Sequence, residues 1–190
     1  MTTAYGQPID APVLAVDAAK AVGCALVLPR QSAHHRPRLL AVWHWSSQSY
    51  DRWAEHMASC IQEALQLCEE HEQPLPLFCV EQAEGAVRGK SRGVDVFQGL
   101  GRRQGIALAE WRHQRPRGSR TGVLVRQRWW AKALDLPAGK RQLGEHRISE
   151  ARFYLTGAAD CLAATDAKYR VDAAEAALLG AAVSLRGSTL

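Results

Sequence analysis

Long apolar runs, a secretion signal and internal repeats are all missing from this sequence. No uninterrupted apolar segment reaches the length of a membrane span, so we expect a cytoplasmic protein that has no membrane partner. Residues 1–11 lack the charged-then-apolar pattern of a signal peptide. They predict a flexible lead, followed by a single domain over residues 12–190.

Cysteine and histidine are present but lack the spacing of metal ligands. The five cysteines form an odd, scattered set, and Cys24 and Cys79 lie within apolar runs. This pattern predicts buried thiols in a reducing compartment. A zinc site from His56, Cys60 and Cys68 on one helix face is disfavoured, because their spacing fits no known zinc motif.

Positive charge is concentrated in one part of the chain. Fifteen of the 24 Lys and Arg residues, but only four of the 19 acids, lie between Arg88 and Arg147, so this stretch carries +11 and the remainder −6. Such asymmetry favours a nucleic-acid partner over a generally basic surface. The cations that we expect to contact phosphates are Arg88, Lys90, Arg92, Arg126, Arg128, Lys140, Arg141 and Arg147.

The apolar pattern predicts an α/β architecture with a mixed five-stranded sheet flanked by helices. Predicted strands cover residues 13–16, 22–28, 39–45, 75–82 and 123–125. The first two should form a hairpin, with the third antiparallel to the second. Predicted helices run from a Ser49 cap to about residue 72, then over 94–111, 128–134, 144–155 and 172–183.

Two local features of the predicted helices carry further expectations. Gly101 and Gly105 lie one turn apart on one face, and since glycine weakens a helix, they predict close approach of another element. Trp129 and Trp130 are adjacent and must point in different directions. We expect one of them in the core and the other partly exposed.

Four carboxylates stand at the ends of predicted elements. Asp17 follows the first strand, and Glu81 ends the buried run of residues 76–81 just before a glycine-rich basic loop. Asp172 and Glu175 share one face of the last helix, and we place both in its first turn. An acid at a helix start is often only a cap, so the argument rests on the convergence of all four.

Carboxylates that converge repel one another unless cations separate them. Oxygen ligands suit Mg²⁺, with Mn²⁺ as a substitute. Paired ions of this kind, held about 4 Å apart, catalyse phosphodiester hydrolysis. The acids and the basic stretch together indicate a metal-dependent nuclease.

Four segments of the chain resemble the RuvC-type Holliday junction resolvases, which belong to the RNase H-like nuclease superfamily. Residues 14–17 (Leu-Ala-Val-Asp) and the following hairpin resemble the first motif of that family, and residues 80–82 (Val-Glu-Gln) the second. Residues 100–109 resemble its Leu-Gly-Gln-Ala-Arg-Gly helix, and residues 171–177 its closing Asp-Ala-Ala-Asp-Ala motif. In order and spacing the resemblance covers most of residues 12–184.

The resemblance implies an RNase H-like fold and symmetric nicking of four-way DNA junctions by a homodimer. The small residues of the helix at residues 94–111 permit close approach, so we expect the dimer contacts there. It places Asp17, Glu81, Asp172 and Glu175 at a magnesium site and assigns a catalytic lysine role to Lys132. Arg147 or Lys140 stands where a second family lysine is expected. Arginine at that point could stabilise charge but could not shuttle a proton.

The chain departs from the family pattern in three places. Glu175 replaces the usual Asp and is one methylene longer. Glu84 stands where the family has an aromatic residue. The segment at residues 113–122 is longer than its counterpart in the family. These differences affect metal spacing, stacking at the junction centre and DNA contact, respectively.

Two other interpretations stay open. One is a junction-binding protein that does not cleave. The other is a different RNase H-like enzyme, acting on branched DNA, on RNA–DNA hybrids or in transposase-like strand transfer. A sugar-kinase-type ATPase is disfavoured, because only Gly23 follows the first strand where phosphate loops would be needed.

Overall fold

A computed structural model describes residues 9–19, 21–82, 91–136 and 144–187, with backbone alone over 91–97 and at 144. The strands are β1 Val13–Asp17, β2 Ala21–Leu28, β3 Arg38–Ser46, β4 Leu77–Gln82 and β5 Val123–Arg126. The helices are α1 Tyr50–Glu70, α2 Ser91–Gln114, α3 Gln127–Ala133, α4 Gly144–Tyr154, α5 Ala158–Ala164 and α6 Arg170–Arg186, with a 3-10 turn at Ala167–Tyr169.

The five strands form one mixed sheet in the order β3-β2-β1-β4-β5. β1 pairs antiparallel with β2, and β2 with β3, whereas β1, β4 and β5 run parallel. The predicted α/β class, the first hairpin and the direction of the third strand are all confirmed. The parallel strands place the carboxyl ends of β1 and β4 at the same edge of the sheet.

Helices cover both faces of the sheet, so the central strands are buried on both sides. Val13 and Ala15 of β1 face a core formed with α6, whereas Leu14 and Val16 face a second core formed with α1 and α2. This two-sided burial explains the continuous apolar runs of β1, β2 and β4. Cys24 and Cys79 are buried free thiols, as predicted.

Helix α6 is apolar on nearly every side because it lies between the sheet and α3 and α4. Residues 176–184 are all buried. A Cβ at Gly180 would lie 2.7 Å from a methyl carbon of Val27, so this helix packs very close to β2. Core packing therefore fixes the position of α6 over the sheet.

Helix boundaries follow the predicted ones except where tertiary contacts decide. Ser49 caps α1 as expected, its hydroxyl accepting a hydrogen bond from the Arg52 amide at 3.4 Å. Helix α6 begins at Arg170, so Asp172 lies in its first turn, whereas Glu175 lies one turn further on; placing both in the first turn was wrong. Helix α5 was not predicted at all, and it begins after Gly157 without a side-chain cap.

The glycines of α2 correct a second expectation. A Cβ at Gly101 or at Gly105 would meet no described atom within 4 Å. Close packing by another described element of this chain was therefore wrong. The expectation for the two tryptophans is confirmed: Trp130 is fully buried and Trp129 partly exposed.

The remaining observations concern the lead and the membrane. Ile9, within the predicted flexible lead, donates its amide to the Ser184 carbonyl at 3.0 Å and packs on the core. Across the described residues, no helix combines the length and apolar character needed to span a bilayer.

Candidate active site

Asp17 and Glu81 lie side by side at the end of two parallel strands. Val16 pairs with Val80 in the ladder between β1 and β4, so the two acids come next on neighbouring strands. Each is only 9% exposed. Their strands leave the core at this point, and both carboxylates are held in an environment that penalises charge.

Helix α6 brings the other two acids to the same place. Gly23 of β2 lies directly opposite Asp17 in the ladder. A Cβ on Gly23 would lie 2.1 Å from the carbonyl oxygen of Asp172, so the first turn of α6 rests on the backbone of β2. Only glycine permits this approach, which sets Asp172 over the end of the sheet with Glu175 following along the helix. Asp17, Glu81, Asp172 and Glu175 are called the acid cluster below.

The charges of the acid cluster act on one another. Burial raises the pKa of Asp17 well above its usual range, and the carboxylates of Glu81, Glu175 and Asp172 raise it further. Burial also raises the pKa of Asp172. These acids are distant in sequence but lie close enough in the fold to act on the charge of Asp17, and their negative charges are poorly compensated.

Arg147 is turned inward against this cluster. Its Nε lies 3.5 Å from a carboxylate oxygen of Glu175, and its guanidinium carbon lies 5.2 Å from the ring centre of Trp130. Arg147 lowers the pKa of Glu175, although burial outweighs it and the net shift is upward. The Nη1 atom of Arg147 is buried without a hydrogen-bond partner among the described residues.

Two residues that sequence reasoning missed hold Glu81. Trp130 donates its indole N–H to the Glu81 carboxylate at 3.4 Å. Gln104 of α2 donates its side-chain amide to the Glu81 backbone carbonyl at 2.7 Å. Gln104 shares a helix face with buried Ala107 and Trp111, so a polar residue within an apolar stripe was the signal that could have identified it.

The predicted cations lie in different surroundings. Lys132 is exposed on α3, two residues after Trp130, and no hydrogen bond or ion pair joins its side chain to another described residue. Arg126 is exposed at the end of β5, beside Gln82 in the ladder, and Arg128 is exposed in the first turn of α3. Arg147 is 5% exposed, so it lies at the acid cluster instead of on an open surface. The roles of these four residues stay predictions.

Several predicted residues lie outside the described part of the chain. Arg88, Lys90, Lys140 and Arg141 belong to this group, together with Glu84. Arg92 lies in α2 where only the backbone is described.

The donor set fits a hard divalent cation, since it consists of carboxylate oxygens whose mutual repulsion a cation relieves. Within the described ranges, no three His, Cys, Asp or Glu side chains converge at distances suited to one ion. Magnesium needs no such cage, because it commonly binds through one or two carboxylates and completes its shell with water and substrate phosphate. Neighbouring Asp17 and Glu81 supply a pair of this kind.

The mixed sheet in the order β3-β2-β1-β4-β5, with helices on both faces, gives this chain an RNase H-like fold similar to that of solved RuvC structures. Two structures of Thermus thermophilus RuvC, one in complex with a Holliday junction substrate, align with TM-scores of 0.54 and 0.55 at 15% and 14% sequence identity. Each alignment covers 90% of this chain and 94% of the other.

The yeast mitochondrial Holliday junction resolvase is similar as well. It aligns with a TM-score of 0.53 at 12% identity, covering 93% of this chain and 78% of the resolvase. Neither a protein-family model nor a curated protein matches the sequence. The likeness to these structures therefore establishes the fold, and the activity has to be argued from the site.

Proposed function

We propose that this protein is a magnesium-dependent endonuclease that resolves four-way DNA junctions. The observation that carries the proposal is Asp17, buried at a strand end where three further carboxylates raise its pKa. Gathering four acids where their charged forms are destabilised costs folding free energy, and such clusters are typical of functional sites. A ligand that carries positive charge gives this arrangement a function.

The acids of the cluster would hold the metal. Asp17 and Glu81 offer adjacent carboxylates from rigid strands, with Asp172 and Glu175 on the facing helix. When bound, a pair of Mg²⁺ ions supplies activation of a water molecule and stabilisation of the departing oxygen. Trp130 and Gln104 orient Glu81 from two sides, which keeps its carboxylate in register with Asp17.

Arg147 and Lys132 would contribute positive charge around the scissile phosphate. Arg147 orients Glu175, and its buried Nη1 has no acceptor among the described residues. A phosphate oxygen would satisfy that donor, and arginine stays protonated throughout. Lys132 projects from the neighbouring helix, and the exposed Arg126 and Arg128 extend the positive surface towards the flanking DNA.

A junction as substrate and a homodimer as the acting form are the finer parts of the proposal. They are supported by the likeness to RuvC structures, one of which holds a Holliday junction. A four-way junction must be cut twice at related positions, and two-fold symmetry meets that need. The open face at Gly101 and Gly105 is a suitable place for the partner subunit, because small residues permit close helix contact.

Cleavage of a synthetic four-way junction tests this function. We expect Mg²⁺-dependent symmetric nicks, and loss of all cutting with retained binding in Glu81→Gln. Glu55→Gln, which alters an exposed acid of α1, is the matched control and should cut normally. Cutting by Glu81→Gln at the normal rate would refute the assignment, and a monomer in light scattering would refute the dimer.

The acid cluster is also compatible with a second function, in which the protein binds four-way junctions without cutting them. This alternative is favoured by the absence of three converging metal ligands among the described residues. Junction binding without cutting in either Mg²⁺ or Mn²⁺ would establish it. Competition by RNA–DNA hybrid or linear duplex as strong as by the junction would instead indicate a different RNase H-like enzyme.

A further inference from the structure

An aromatic pair lies beside the acid cluster on the same row of the sheet. Asp17 pairs with Gly23 of β2, and Gly23 pairs with His44 of β3. With neighbouring strands about 4.8 Å apart, the backbone of His44 lies about 10 Å from that of Asp17. The ring of His44 packs against Tyr169, with ring centres 4.7 Å apart and planes 34° apart.

The residues around the start of α6 follow the same arrangement, with an aromatic residue at one end and acids at the other. Tyr169 ends the 3-10 turn, and Asp172 and Glu175 follow at intervals of three residues in α6, so successive members are neighbours in a stripe that runs from the turn into the helix. Tyr169 contacts His44, the Asp172 backbone rests on Gly23, and the charge of Glu175 is felt by Asp17. The stripe therefore runs from an aromatic end at the sheet edge to the acids at its centre.

A cation stands next to the aromatic end. The ammonium of Lys168 lies 4.7 Å from the ring centre of Tyr169 and 3.5 Å from a carboxylate oxygen of Asp166. The side chains of Lys168 and Asp166 are both at least half exposed. An ion pair so open to water contributes little to stability, so Lys168 can exchange Asp166 for a phosphate at small cost.

We propose that His44, Tyr169 and Lys168 form a subsite for a nucleotide next to the cleavage point, with its base on the aromatic rings and its phosphate on the lysine. The inference rests on the proposed function and extends it to one side of the scissile phosphate. Aromatic rings with an adjacent cation are the usual means of holding unpaired nucleotides. β3 is an edge strand, so an unstacked base can approach from beyond the sheet.

Residue 84 is Glu in this chain, where the resembled family has an aromatic residue, so other rings would have to receive unpaired bases. Opening the centre of a junction exposes unstacked bases, which cost free energy unless a surface receives them. In this chain the receiving rings come from β3 and from the 3-10 turn that precedes α6. The expected consequence is a preference for the identity of a base beside the cut.

Fluorescence of 2-aminopurine placed at successive positions around the cut tests the subsite in protein carrying Glu81→Gln. We expect quenching at one position on binding. Adding Tyr169→Ala or Tyr169→Leu should abolish it and weaken junction binding by roughly 5- to 100-fold, whereas Tyr169→Phe should retain both. Phe153→Ala removes an exposed aromatic ring of α4 and is the control that should change neither signal.

Lys168→Gln isolates the phosphate contact. It should lower the slope of the logarithm of affinity against the logarithm of salt concentration by roughly 0.7 to 0.9, as expected for one lost contact. Melting curves of each variant separate a folding defect from a binding defect. Tyr169→Leu that folds normally, binds as tightly and still quenches the probe would overturn the subsite.

The failure of the subsite is distinguishable from that of the proposed function. Junction cutting by the unmodified protein, with equal rate and sequence preference in Tyr169→Leu, would overturn the subsite and leave the nuclease intact. Tyr169-dependent quenching by an unmodified protein that never cuts would support the subsite in a binding protein. Failure of the unmodified protein to bind any DNA would overturn both.

Discussion

Arg147→Met tests the electrostatics of the acid cluster most directly. The change removes the guanidinium but keeps an apolar stem of similar length against Trp130. In the native chain the Arg147 and Glu175 side chains are 6% and 24% exposed, and their charged atoms lie 3.5 Å apart. The variant leaves Glu175 with its neighbouring acids and without its counter-charge.

The magnitude follows from this geometry. At 3.5 Å and an effective dielectric constant of about 20, two unit charges attract by roughly 5 kcal/mol. Breaking a buried pair by removing one partner costs about 3–5 kcal/mol. Because Glu175 keeps a quarter of its surface in water, we expect a loss near the lower end, about 3 kcal/mol, or a melting temperature lower by roughly 6–12 °C.

The stability lost in Arg147→Met depends on pH, and the raised pKa of Glu175 sets the direction of that dependence. The pKa of Glu175 is already raised by burial, and removing Arg147 raises it further because the arginine lowers it. Between the unfolded and the folded pKa, the folded state holds a proton that the unfolded state releases, so stability falls as pH rises. The penalty of Arg147→Met is therefore largest at neutral pH and shrinks as pH falls towards the ordinary glutamate value of 4.5.

Urea denaturation in chelator at pH 7.5 and pH 5 measures both effects. Arg147→Met with Glu175→Gln should recover much of the lost stability, since the unpaired charge is gone. Arg152→Met changes an exposed arginine of the same helix and serves as the control. A single variant within about 0.5 kcal/mol of the native protein, or a double variant as unstable as the single one, would refute the reasoning.

Two further predictions concern Asp17 and Gly23. Burial and neighbouring acids raise the pKa of Asp17, so the metal-free protein loses stability as pH rises above 3.8. Asp17→Asn should therefore melt at a higher temperature than the native protein at neutral pH, and its stability should respond less to pH. The same variant should fail to cut. A melting temperature below that of the native protein would contradict this account. Gly23→Ala places a carbon 2.1 Å from the Asp172 carbonyl and should cost 3 kcal/mol or more by denaturation, a rough figure for overpacking against backbone, and should impair cutting. Gly101→Ala meets no described atom of its own chain within 4 Å, so it should stabilise α2 by about 1 kcal/mol in the separated subunit, and equal stability of the two alanine variants would count against the proposed contact of Gly23.

The parts of the fold that the sequence could predict are those with a local cause. Two-sided burial makes β1, β2 and β4 apolar along their whole length, and the Ser49 hydroxyl satisfies the first free amides of α1. Helix α5 has no such signal, because it is seven residues long and begins without a side-chain cap. The docking of α5 on β3, where Cys161 approaches the Leu39 and Leu40 carbonyls, is visible only in the folded chain.

The candidate site divides in the same way. Acids at strand ends and at a helix start were predictable, since parallel strands bring their carboxyl ends to one edge. Arg147 was grouped with the cations expected to contact phosphates because it ends the basic stretch that begins at Arg88. Its inward orientation depends on the packing of α4 against α6 and on the indole ring of Trp130, and neither of these contacts leaves a pattern in sequence.

The spacing of the acid cluster is inherited from core packing far from the acids themselves. Asp172 and Glu175 belong to a helix whose next two turns are buried on every side, and Gly180 holds that segment against Val27. A rigid helix transmits any shift at Gly180 to its first turn, about 12 Å away along the axis. The repulsion within the cluster tends to push α6 off the sheet, and the buried alanines and leucines of residues 176–183 oppose it. The site is therefore held together by apolar contacts, and its geometry should be more sensitive to changes at Gly180 than to changes among its exposed neighbours.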